Sequence, residues 1–129
     1  MGDRTDSSLT AKEVLRRYGE EDLPAFVGVT LDDVNATGPF GEHPLDVAAG
    51  RGALDEVLAL LDGGADINAA GDLGNTALHE AVGQGHVDVV STLLRRGASR
   101  ALRNQDGHTA LEVAVLRGHA DLAELLQGE

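Results

Sequence analysis

Cysteine is absent from the 129 residues, which removes disulfides, thiolate nucleophiles and cysteine-bound zinc, and fits a reducing compartment. Tryptophan is absent too, and the aromatics amount to one tyrosine and two phenylalanines, so a core must be built from Leu, Val, Ala and Ile. No run approaches the ~18 apolar residues of a membrane span. The start, Met1-Gly2-Asp3-Arg4-Thr5-Asp6-Ser7-Ser8, has no apolar block behind it, so neither a signal peptide nor an anchor is expected. Basic residues are scarce, 10 against 22 acidic ones, for a net charge of −12. That charge repels phosphate backbones and anionic lipid head groups, and predicts a cytoplasmic chain with neither nucleic acid nor membrane as partner. At 42% hydrophobic content the chain can still bury a core, within a single domain.

Glycine, by contrast, is abundant at 17 residues, and it is phased. Laying 41–61 over 74–94 and 107–127 aligns Gly41/Gly74/Gly107, Leu45/Leu78/Leu111, Ala48/Ala81/Ala114, Gly52/Gly85/Gly118, Asp55/Asp88/Asp121 and Leu60/Leu93/Leu126. Chance would give on the order of 0.2 such triple identities, so an internal repeat of 33 residues organises the chain. The phase continues upstream, where Val34-Asn35-Ala36 precedes Ile67-Asn68-Ala69 by one period and Thr10, Gly19 and Asp22 fall on Thr76, Gly52 and Asp55. This first unit is degenerate. Lys12 and Arg16 replace Leu45 and Ala49, and Pro24 replaces Val57. Polar residues in interface columns suit an end cap.

Within a unit the apolar residues follow two short helical runs. Ala77, Leu78, Ala81 and Val82 share one face, and Val87, Val89, Val90, Leu93 and Leu94 another. Thr76 precedes the first run as an N-cap, Thr109 and Glu112 have capping-box spacing, and Pro44 takes the favoured first helical position. Gly52, Gly85 and Gly118 break the chain between the two helices, and Gly64 and Gly97 end the second helices. Each helix is too short to persist alone in water. The expected fold is all-α, built of helix-turn-helix units: a tail over 1–7, the cap over 8–39, and repeats over 40–73, 74–106 and 107–129.

These residues resemble the ankyrin repeat. Gly74-Asn75-Thr76-Ala77-Leu78-His79-Glu80-Ala81-Val82, Gly85-His86, Val90, Leu93-Leu94 and Gly97-Ala98 follow its pattern closely. The preceding unit has His43 and Asp46 where the family prefers Thr and His, and the last has Glu112 in the His position. The resemblance implies a solenoid of L-shaped helix pairs with protruding loops, in which Thr76 and His79 cap a helix and tie adjacent units. With Glu112 in that place, the C-terminal unit is expected to be the looser one.

The resemblance also places a protein partner along the concave surface of hairpin tips and inner helices, with no catalysis and no cofactor. Carried over column by column, that surface comprises Thr37, Ala70 and Arg103; Pro39, Asp72 and Gln105; Phe40, Leu73 and Asp106; Glu42, Asn75 and His108; and Arg51, Gln84 and Arg117. These columns differ between units, as a surface adapted to a guest would. Phe40 beside Leu73 is a candidate anchor, unless it folds back on Phe26 or Val29. Glu42, Asp72 and Asp106 balance Arg51, Arg103 and Arg117, so the excess acid is assigned to the outer helices (Asp55, Glu56, Asp62, Asp88, Asp121, Glu124) and the cap (Glu20, Glu21, Asp22, Asp32, Asp33). A mixed groove suits a mixed or apolar epitope.

Other chemistries find less footing. Gly50-Arg51-Gly52 and Gly83-Gln84-Gly85 lie between helices with no strand before them and no downstream lysine, so they read as turns rather than phosphate loops. No serine sits in a nucleophile elbow. His79, His86, His108 and His119 fall on repeat positions rather than at chelating i, i+4 spacing, so no metal is expected, although a metal-assisted hydrolase using His79, His86 or His108 is a rival reading. A second rival is a bacterial immunity or antitoxin protein whose acidity meets a basic toxin.

Overall fold

The computed structural model describes residues 9–21, 23–26, 28, 31 and 33–128. The tail expected over 1–7 lies outside them, as do Asp22, Val29 and Asp32. Seven helices run Ala11–Glu21 (α1), Pro44–Arg51 (α2), Leu54–Asp62 (α3), Ala77–Gln84 (α4), Val87–Arg95 (α5), Ala110–Leu116 (α6) and Ala120–Gln127 (α7), with no strand among the described residues.

Four of them start on one local device, in which the third helical residue reaches back to the cap. Thr10 N–H donates to Glu13 Oε1 at 3.1 Å and Thr109 N–H to Glu112 Oε1 at 2.9 Å. Thr76 N–H donates to His79 Nδ1 at 3.1 Å, and His43 N–H to Asp46 Oδ2 at 2.9 Å. Such bonds satisfy amides that a short helix would leave bare. The second helices carry the repeated aspartate in their first turn instead: Asp55, Asp88 and Asp121 each accept from the next residue's N–H at 2.9 Å, placing negative charge at a helix N-terminus. Between paired helices the chain turns on Gly52 (φ 72°) and Gly85 (φ 79°), a region where a side chain is strained.

The pairs α2/α3, α4/α5 and α6/α7 stack in file, with α2, α4 and α6 as the inner row and α3, α5 and α7 as the outer. Ala48, Ala81 and Ala114 are fully buried on the inner row, where a methyl lets the helices come close, and Val57, Leu60, Val90 and Leu93 fill the outer row. Repeat-phased asparagines stitch the loops: Asn35 Oδ1 accepts from Asp66 N–H at 2.9 Å and Asn68 Oδ1 from Ser99 N–H at 2.8 Å.

The first unit leaves the phase that its Thr10 shares with Thr76. Its helix runs on past Gly19 to Glu21, and the next described element is a single 3₁₀ turn, Pro24–Phe26. Moreover α1 packs chiefly on α3, an outer helix, rather than extending the inner row. Two features direct it there. Pro24 cannot sit inside a helix, and Tyr18, fully buried, donates its hydroxyl to Glu56 on α3 at 2.6 Å while its ring stacks on Phe26 at 6.2 Å. Lys12 and Arg16 face solvent, as an end unit requires.

Candidate partner-binding surface

The hairpin before α4 is closed by Gly71 N–H donating to Asn75 O at 2.8 Å, and its counterparts by Gly38 to Glu42 O at 2.8 Å and Asn104 to His108 O at 3.0 Å. Each therefore projects the same column at its tip: Phe40, Leu73 and Asp106. Phe40 is 70% exposed and Leu73 60%, so Phe40 does not fold back on Phe26, which is buried against Tyr18. Adjacent tips are linked, since Gln105 N–H donates to Leu73 O at 3.0 Å and Asn104 Nδ2 to Asn75 Oδ1 at 3.0 Å.

Beside the tips, two depressions flank α4. One, of about 320 Å³, is lined by Glu42, Asp46, Val47, Arg51, Asp72, Glu80 and Gln84, with Ala25 from the cap. The other, of about 290 Å³, is lined by Leu73, Asn75, Glu80, Gln84, Asp106, His108, Val113, Leu116 and Arg117. Of the residues expected at the site, Thr37, Pro39, Phe40, Ala70, Arg103 and Gln105 line neither. Arg103 turns to Gly107 O at 2.7 Å and to Glu112 at 3.2 Å.

Sequence reasoning missed the column Val47, Glu80 and Val113, although it lies four residues before Arg51, Gln84 and Arg117 and so on the same helix face. Glu80, shared by both depressions, is the consequential omission. Burial, and then the charges of Asp46, Asp72 and Glu42, push its carboxyl up to about 7, with Arg117 pulling the other way.

Two charge assignments are corrected. Glu56 is not an exposed acid of the outer face, because it is buried beneath Tyr18 and paired with Arg17 at 3.4 Å. Tyr18 itself is held neutral, its ionisation pushed far up by burial and by Glu56. Arg51 offers the groove little charge, since it forks onto Glu21 at 3.1 and 3.2 Å and lies 5.3 Å over the Tyr18 ring. The groove is therefore acidic between α2 and α4, and its remaining arginine, Arg117, stands toward α6 with one nitrogen on Gly83 O at 3.2 Å.

The family model for ankyrin repeats, described as three copies, matches residues 17–103 and 45–129. The chain belongs to the ankyrin-repeat family. No individual curated protein matches it. Ankyrin repeats are generally protein–protein interaction modules, and His43, His79 and His86 of this one are used as struts. His79 takes the Thr76 amide on Nδ1 and so donates from Nε2 to His108 O at 2.9 Å, tying α4 to the next hairpin; burial holds its pKa below the ordinary value. His86 Nε2 reaches Gly50 O at 2.9 Å, tying α5 to the end of α2. His43 meets Asp46 at 3.0 Å, and that hydrogen bond raises its pKa. Among the described residues, no three His, Asp or Glu side chains converge to hold a metal ion, and no helix is long and apolar enough to cross a membrane.

Proposed function

We propose that this ankyrin-repeat chain is a monomeric, non-catalytic cytoplasmic domain that holds another protein along its concave face. Its units would run over 8–39, 40–73, 74–106 and 107–129. Contacts fall to Phe40, Glu42, Arg51, Asp72, Leu73, Asn75, Gln84, Arg103, Asp106, His108 and Arg117, now joined by Asp46 and Glu80. The supporting observation is the pair of large apolar side chains exposed on neighbouring hairpin tips beside depressions along the inner helices. A net charge of −12 disfavours self-association. The hydrolase reading is weakened because His79 and His86 commit ring nitrogens to backbone carbonyls.

The double variant Phe40→Asp, Leu73→Asp tests this reading. Both positions are exposed, so the helical circular dichroism should be unchanged while capture of the native partner is lost. Undiminished capture would place the site elsewhere. The acidic stretch between α2 and α4 also favours a second reading, an immunity protein for a basic toxin. In that case gel filtration with a co-encoded basic partner would show a tight complex that dissociates steeply as salt is raised.

A further inference from the structure

Resting on the concave-face reading, we propose that the groove between α2 and α4 takes a partner segment in which an arginine or lysine stands within a few residues of a large apolar side chain. Two separate observations lead there.

The first is the tips. Leu73 holds φ 59° and ψ 21°, Gly74 follows at φ 73°, and Asn75 N–H donates to Asp72 O at 3.1 Å. A turn with two successive left-handed residues normally carries Asn-Gly or Asp-Gly. Leucine is a costly occupant of its first position, and its side chain gains no burial in return, being 60% exposed. Its apolar surface, and that of Phe40 in the same column, is thus presented to something outside the chain.

The second is charge. The adjoining floor carries Glu42, Asp46, Asp72 and Glu80, and Glu42 Oε1 is buried without a hydrogen-bond partner among the described residues. Arg51 lines the same depression but is committed to Glu21 and the Tyr18 ring. Asp46 is already held by His43, but a guanidinium or ammonium group from the partner supplies the N–H donors that Glu42, Asp72 and Glu80 do not find among the described residues, while its apolar neighbour packs on Leu73 and Phe40.

Such a ligand requires ionised Glu80, which in the free protein keeps its proton up to about pH 7. Binding then expels a proton, and affinity rises with pH. The other charged or titratable groups around Glu80 are Asp46, Asp72, Glu42, Arg51 and Arg117, with His79, Asp106 and His108 along the neighbouring depression and His43 behind Asp46. Comparison with Glu80→Gln separates its part from theirs.

Short random peptides displayed on phage and selected against the immobilised full chain at about pH 8 provide the test. Enriched peptides are expected to carry Arg or Lys near Leu, Ile or Phe. A synthetic copy of one should bind about tenfold more tightly at about pH 8 than at about pH 6. Glu80→Gln should weaken and flatten that dependence, and Leu73→Asn should weaken binding by a similar factor without lowering the unfolding midpoint. Enriched peptides that lack basic residues yet still need Leu73 overturn the chemistry proposed here and leave the concave-face reading standing. Peptides indifferent to Phe40, Leu73 and Glu80 overturn both, and the absence of any enrichment overturns the proposal.

Discussion

Unfolded, Glu80 loses its proton near the ordinary 4.5; folded, it holds the proton to about 7. Between those values the folded chain binds a proton that the unfolded chain has released. The stability linked to this group is therefore full below about 4.5, falls as pH rises, and levels off above about 7. Glu80→Gln should leave stability nearly unchanged at about pH 4 and raise it by about 1 kcal/mol at about pH 8, a figure reduced because the side chain is partly exposed and screened. Urea midpoints of both proteins across that range measure the difference. Leu73 behaves similarly, in that Leu73→Asn should stabilise by about 1 kcal/mol, since Asn tolerates the left-handed region that Leu resists. An unchanged or lower midpoint would mean that the Leu73 side chain contributes packing that its exposure does not reveal. Neither feature could be found by composition. Glu80 occupies a column in which its neighbours are valines, and its altered pKa comes first from burial and then from carboxylates on α2 and two hairpins rather than from residues beside it in sequence.

At the level of elements, the caps and turns were legible because they are local. Thr76, Thr109 and Pro44 sit within four residues of everything they satisfy, and Gly85 turns the chain with φ 79°. A side chain at Gly85 would be strained by that angle and crowded by the His119 ring, 3.2 Å from the nearest added atom. Gly85→Val should therefore destabilise by more than about 1 kcal/mol, read as a fall in melting temperature against a Gly97→Ala control, which meets open space although it shares the positive φ. The element that misled was α1. Its Thr10 is in phase with the inner helices, yet its destination is α3, where the Tyr18 hydroxyl meets Glu56, 38 residues away. Periodicity reports which residues of a helix are apolar, not which neighbour they meet.

Across the whole molecule, stability is a chain of interfaces, and the two ends are unlike. At the N-terminal end α1 covers α3. At the other, the column that is fully buried as Ala49 and Val82 reaches the surface as Val115, 63% exposed, and α6 is only seven residues long. Glu112, in the place of His79, makes the cap bond and meets Arg103. Hydrogen exchange should accordingly find the amides of α6 and α7 opening at lower free energy than those of α4 and α5. Equal protection throughout would instead indicate one cooperative unit.

By itself the sequence determined the all-α solenoid and its family, because a 33-residue period with small and apolar residues in fixed columns can bury those columns only by stacking like on like. It also marked the hairpin tips, whose position follows from counting along the repeat. Tertiary structure alone decided the charge of the groove. Arg51 belongs by its column to the groove and Glu56 by its helix to the acidic outer face, but helix packing turns one toward Glu21 and Tyr18 and seals the other beneath Tyr18, while Asp46 and Glu80 come to share a depression. The physical reason is that side-chain electrostatics depends on distances of a few ångströms between residues far apart in the chain, and no spacing along the sequence encodes them.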